Sequence, residues 1–136
     1  MFALLLVLAC GGASDEDASG DGVGLMSYSA GMWEQRALTL SAGINEALKL
    51  AEENQNTEAV ALVEAIYTGS YEPELEIAIR DHLGARVALE LELEFGRLMK
   101  DIRNRRKRAD RAKVLAEQVR QAAAILESKA ANLRLD

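Results

Sequence analysis

The sequence predicts an all-α fold: an antiparallel helical bundle of four to five helices behind a signal peptide and a flexible tether. Three observations carry this. Ala, Leu, Glu, Arg and Lys dominate the 136 residues, and these side chains lose little on entering a helix. Apolar positions recur at spacings of three and four from about residue 32 to the end, which marks amphipathic helices. The chain has a single proline and only 4% aromatic residues, so helix breakers and typical strand formers are both scarce. Apolar content of 49% and charged content of 28% suit one folded domain of ordinary size. The net charge of −6 is mild. It favours cations over nucleic acid as partners and says nothing about fold.

Three segments divide the chain: 1–9, 10–31 and 32–136. Residues 2–9, "FALLLVLA", are wholly apolar, too short to span a bilayer but suited to the core of a signal peptide. "VLAC" resembles the bacterial lipobox, in which a small residue precedes a cysteine that is lipidated. Ala9 and Val7 fit that pattern, and Cys10 would carry the lipid. "MFA" departs from it in having no Lys or Arg before the apolar run. The alternative is a buried hydrophobic N-terminus with an incidental cysteine. Cys10 is the only cysteine, so no intramolecular disulfide can form. Gly11 after the cysteine, rather than Asp, fits sorting to the outer membrane. The expected location is the bacterial cell envelope, lipid-anchored and facing the periplasm. Residues 11–31 are mostly Gly, Ser, Asp and Ala and bury too little surface to offset their ordering entropy.

The bundle helices follow in order. From about Met32 to Glu53, Ala37, Leu40, Ile44, Ala47, Leu48 and Ala51 line one helix face. "ENQN" breaks the pattern. Thr57 is suited to cap a second helix, striped by Ala59, Leu62, Val63 and Ile66. Gly69 and Ser70 are expected to end it. Pro73 then suits the first position of a third helix, with Glu74 and Glu76 favoring the positive end of its dipole. Leu75, Ala78, Ile79 and Leu83 are its apolar positions, and Gly84 its stop. A last helix from about Asp110 carries Leu115, Val119, Ala122, Leu126, Ala130 and Leu133 at bundle-seam spacing.

"VALELELEF", residues 87–95, alternates apolar and other residues as a half-buried strand would. Composition argues for a helix: Leu, Ala and Glu are helix formers, Val87 is its one β-branched residue, and no second alternating run exists to pair with it. Wound as a helix, Val87, Leu91, Phe95, Leu98 and Ile102 share a face, while Leu89 and Leu93 point nearly opposite. The helix is then sandwiched or covered by a partner, or it simply exposes two leucines. The acids separate. Glu90 and Glu94 lie on one flank with Arg86 and Arg97 in reach as ion-pair partners. Glu92 lies on the other.

No nucleophile pair, phosphate loop or His/Cys zinc spacing appears, so no enzymatic activity is expected. His82 is read as a surface or boundary residue. What remains is carboxylate-rich. "EAIYTGSYEPELEIAIR" holds Glu64, Tyr67, Tyr71, Glu72, Glu74 and Glu76. Iron and hard cations accept oxygen ligands, and bundles site them between facing helices. Glu72 and Glu76 could converge with Glu92 or Glu90. The Glu-x-x-His di-iron signature is absent, so a weak or exposed site is expected, with Glu90, Glu94 and Glu64 as alternates and no tightly bound cofactor. "RNRRKRADR", residues 103–111, places Arg103, Arg105, Arg106, Lys107, Arg108 and Arg111 in one run. It reads as a solvated turn or helix continuation, or as a surface for anionic headgroups or an acidic protein. Nucleic acid would require a cytosolic location, which the lipobox argues against.

"EAIYTGSYEPELEIAIR" followed by "ELELEFGRLMKDI" resembles the extracytoplasmic helical domain associated with bacterial FTR1-type iron permeases. The matching positions are Tyr67, Tyr71, Glu72, Leu75, Glu76, Glu92, Phe95 and Leu98, within roughly residues 60–130. The membrane helices of those permeases, with their Arg-Glu-x-x-Glu motif, are absent from this sequence. The resemblance implies a free-standing, lipid-anchored version of the soluble domain. It implies handling of iron or another divalent cation, with Glu72, Glu76 and Glu92 as participants and a membrane permease or other envelope protein as partner. The alternative function is a non-catalytic interaction module without metal, using Leu89, Leu93 and the basic run.

Overall fold

The computed structural model describes residues 29–135, the last three as backbone only. The expected signal peptide, the lipidated Cys10 and nearly all of the linker lie outside the described residues. What is described is helical, as the composition requires. Helix α1 spans Met32–Glu52, α2 Asn56–Ile66, α3 Ile77–Leu83, α4 Ala85–Asn104 and α5 Arg108–Leu135, and a π-helical segment, Tyr67–Glu76, joins α2 to α3 without a break. Among the described residues there is no strand, so "VALELELEF" is helical.

The α2–π–α3 unit acts as one long rod, and with α1, α4 and α5 it makes an up-down-up-down bundle. Alternating direction follows from short connections. The α1–α2 turn occupies Glu53–Gln55, with Asn54 in the left-handed region at φ 62. Gly84 alone separates α3 from α4. Its φ of 104 is one that a Cβ would strain, and its N–H donates to the Ile79 carbonyl at 3.0 Å. The α4–α5 turn is Arg105–Lys107. The start of α1 meets the end of α5, where the N–H groups of Gly31 and Trp33 donate to the Glu127 carboxylate at 3.1 and 2.6 Å. A carboxylate there satisfies two orphan donors and complements the helix dipole.

The core is continuous and follows the sequence stripes. Leu40, Ile44, Leu75, Ile79, Leu98, Ile102, Leu115 and Leu126 are fully buried. Ala37, Ala47 and Ala51 of α1 and Ala112, Ala116 and Ala123 of α5 are buried too. Small side chains let these two helices approach closely. Val87 is only half-buried, although its face is the buried one.

Three boundaries differ from the sequence reading. Helix α2 starts at Asn56 with no side-chain cap, so Thr57 does not cap it. Gly69 and Ser70 do not end the second helix, and Pro73 does not begin a third. All three lie inside the π segment. Local sterics permit this once packing holds the segment in register. A proline in an α-helix has no N–H for the carbonyl four residues back, and its ring collides with that carbonyl, at a cost of about 3 kcal/mol or more. A wider turn moves the carbonyl away, and weak helix formers such as Gly69 and Ser70 ease the change.

Candidate functional site

The π segment sets the site. At 100° per residue, Tyr67 and Glu76 would lie on opposite faces of an α-helix. At the roughly 4.4 residues per turn of a π-helix, nine residues make two turns, and the pair returns to one face. The Tyr67 hydroxyl stands 3.5 Å from Oε2 of Glu76. Glu76 is 6% exposed, and its other oxygen accepts from Arg80 one α-turn on.

Helix α4 supplies the rest. Phe95 is buried against both tyrosines, with ring centroids 5.3 Å from Tyr67 and 5.0 Å from Tyr71, while the tyrosines stand 5.6 Å apart. These are separations at which aromatic rings attract. Tyr71 is fully buried and its hydroxyl donates to the Ala88 carbonyl at 3.3 Å. Glu72 and Glu92 are exposed at the rim.

The electrostatics are one-sided. The Tyr67 phenol is pushed up to about 12, first by burial and then by Glu76, Glu92 and Glu72 in turn. Tyr71 is raised further, by burial, by Glu76, by Tyr67 and by Glu92, with Arg80 opposing. Both phenols therefore stay protonated near neutral pH and donate hydrogen bonds. The three carboxylates the sequence singled out all act on one phenol. They do not form a closed site: among the described residues, no group of three or more His, Cys, Asp or Glu is arranged to hold a metal ion.

The alternate carboxylates sit elsewhere. Glu90 pairs with Arg86 at 3.0 Å on an exposed flank. Glu94 is 7% exposed and pairs with Arg97 and, at 3.1 Å, with Arg111, which also holds Asp101 at 3.0 Å. These acceptors raise the Arg111 guanidinium further, Asp101 contributing most and Glu94 next. The ion pairs read from the spacing of Glu90 and Glu94 are present. Glu64 is exposed on α2. Of the basic run, Arg103, Arg105, Arg106 and Lys107 are exposed, Arg108 is half-buried, and Arg111 turns inward. His82 is half-buried, and its carbonyl accepts from Lys129 at 3.0 Å.

Sequence reasoning missed three things here. Arg80 neutralises Glu76, a pairing its i,i+4 spacing could have flagged. Arg36 of α1 pairs with Glu74 of the π segment, an inter-helix contact with no local signal. The shared face of Tyr67 and Glu76 was invisible to any 3.6-residue wheel. The class of protein these features define is a four-helix up-down-up-down bundle with a tyrosine–glutamate site between its π segment and α4. No family model, curated protein or solved structure matches the chain. No helix among the described residues is long and apolar enough to cross a membrane.

Proposed function

We propose that this chain is a lipid-anchored accessory protein of the bacterial periplasm that binds or relays iron or another divalent cation weakly through helix carboxylates. The observation that carries the reading is the charge imbalance at Tyr67. Glu72, Glu76 and Glu92 all bear on its phenol, while Arg80 opposes the acids at neighbouring Tyr71. An excess of negative charge beside half-buried Tyr67 and buried Tyr71 attracts a cation, because the low-dielectric side screens it poorly. Glu72 and Glu92 are exposed and make no ion pair among the described residues, so their side chains are free to close on an ion as it arrives. Glu76 stays held by Arg80 and Tyr67 and serves as the fixed edge. Oxygen ligands of this type suit iron and hard divalent ions. The likeness to the iron-permease domain supports the same ligands, and a membrane permease is the partner it implies. The role is binding, with no catalytic step.

Calorimetric titration of the full chain with ferrous, ferric, zinc and copper ions tests this. At least one ion should bind more tightly than millimolar, and Glu72→Gln with Glu92→Gln should abolish that binding. If no ion passes the threshold, or if binding survives this double change and is lost with Glu90→Gln and Glu94→Gln, the assignment fails. A second reading, an interaction module without metal, is favoured by one observation. Leu89 and Leu93 remain 52% and 48% exposed on the outer face of α4.

A further inference from the structure

The outer face of α4 and the turn that follows it form a second surface, remote in chemistry from the tyrosine site. Nine of the chain's 16 Lys and Arg fall between residues 97 and 113, against two acids in that stretch. The remainder of the chain is correspondingly acidic, since the whole carries −6. Elsewhere most arginines are paired: Arg36, Arg80, Arg86 and Arg120 each hold a carboxylate. Lys100, Arg103, Arg105, Arg106 and Lys107 are exposed and make no ion pair among the described residues.

The turn's backbone adds to this. Arg105 and Lys107 adopt φ 54 and φ 42, left-handed positions where glycine or asparagine would sit with less strain. The chain places long cations there instead. On the helical wheel of α4, Leu89, Leu93, Gly96, Lys100 and Arg103 fall within one sector, opposite the buried stripe. The leucines stand about 10–20 Å along the axis from the cations. Two half-exposed leucines beside a cluster of unpaired cations offer together the apolar and electrostatic contacts that hold a protein surface at an anionic bilayer, leucines in the headgroup boundary and cations on the phosphates.

We infer that the outer face of α4, with the Arg105–Lys107 turn, docks on an anionic lipid surface. Charge complementarity selects this occupant, and the leucines favour lipid over a nucleic acid, which offers no apolar boundary for them. Docking is side-on. End-on contact would also present Glu52, Glu53 and Glu58, exposed at the α1–α2 turn at the same end of the bundle. Exposed Glu92 of the tyrosine site borders this sector on the wheel of α4, so the cations outnumber rather than exclude acids on the docking face.

Co-sedimentation of the full chain with vesicles tests it, with Cys10→Ser in every sample to prevent acylation. Vesicles of phosphatidylcholine alone are compared with vesicles that also contain phosphatidylglycerol. The parent should bind the anionic vesicles at least about tenfold more tightly, since each cation at such a surface counts, and added salt should remove most of the difference. Replacing Arg103, Arg105, Arg106 and Lys107 by Ser should abolish the preference. Replacing the three arginines by Lys should keep it, which separates charge from misfolding. Leu89→Ser with Leu93→Ser should weaken the salt-resistant remainder severalfold. Equal binding to both vesicles, or a quadruple Ser variant that binds as the parent does, overturns the inference. Preference for duplex DNA over anionic vesicles overturns it in favour of a nucleic-acid surface.

Discussion

Two buried glutamates, Glu76 and Glu94, are alike in exposure and opposite in circumstance. Each is less than a tenth exposed, and each lies on a helix facing the bundle interior. Glu94 has two guanidinium partners, Arg97 and Arg111, and Arg111 also holds Asp101. Two acids meet two bases there, and the site is charge-balanced. Glu76 has one guanidinium partner, Arg80, and shares its surroundings with Glu72, Glu92 and two protonated phenols. Burial alone therefore does not decide whether a carboxylate is structural. The count of cations around it does, because an ion pair removes the charge that a ligand would seek.

The largest effect expected is on the rings that wall the acidic site. Phe95→Ala should cost about 3–5 kcal/mol of stability, read by urea denaturation, since a fully buried aromatic leaves a cavity. A loss below about 1 kcal/mol would mean that α4 and the π segment are not packed as described. Next comes the comparison itself. Glu94→Gln should cost about 2 kcal/mol, because two arginines lose their acceptor in a partly dry site. Glu76→Gln should cost less than about 1 kcal/mol, since losing the Arg80 pair is offset by relief from Glu72 and Glu92. If the order is reversed, the charge-count argument is wrong.

A smaller effect concerns pH. The Tyr67 phenol is raised above the ordinary tyrosine value of 10.0 to about 12. A raised acid is bound more tightly to its proton in the folded state, so its contribution is complete below pH 10 and is lost as pH rises toward 12. The thermal midpoint should therefore fall more steeply across that range in the parent than in Tyr67→Phe. Phenolate absorbance should also appear later in the folded chain than in the unfolded one. Parallel curves for parent and variant would show that the acids do not bear on Tyr67.

Several features of this contrast were readable in the residues. The Arg86–Glu90 and Arg97–Glu94 pairs follow from spacings of four and three on one helix, where neighbours on a face must meet. The stripe Leu91, Phe95, Leu98 and Ile102 was legible for the same reason, and so was the placement of Leu89 and Leu93 opposite it, while their exposure in place of a sandwiched helix was not. That Glu72, Glu76 and Glu92 lie near enough to raise one phenol shows only in the folded arrangement. Nor were all the partners that decide a carboxylate's chemistry legible. Arg111 reaches Glu94 from another helix, seventeen residues away.

The sequence by itself determined that the chain is helical and which faces turn inward, because both depend on periods of three and four and on side-chain propensity, which are local. It also determined where α3 stops, since only glycine rests easily at the φ of residue 84. Tertiary structure alone decided that Pro73 lies within a helix rather than at its start. A π register is tolerated only when packing holds it, here through Tyr71 against Phe95 and Ala88. That register turned Tyr67 and Glu76 to the same side. The pairing of one buried glutamate with two arginines and the other with one was likewise set by how helices were brought together, a long-range outcome that no local pattern encodes.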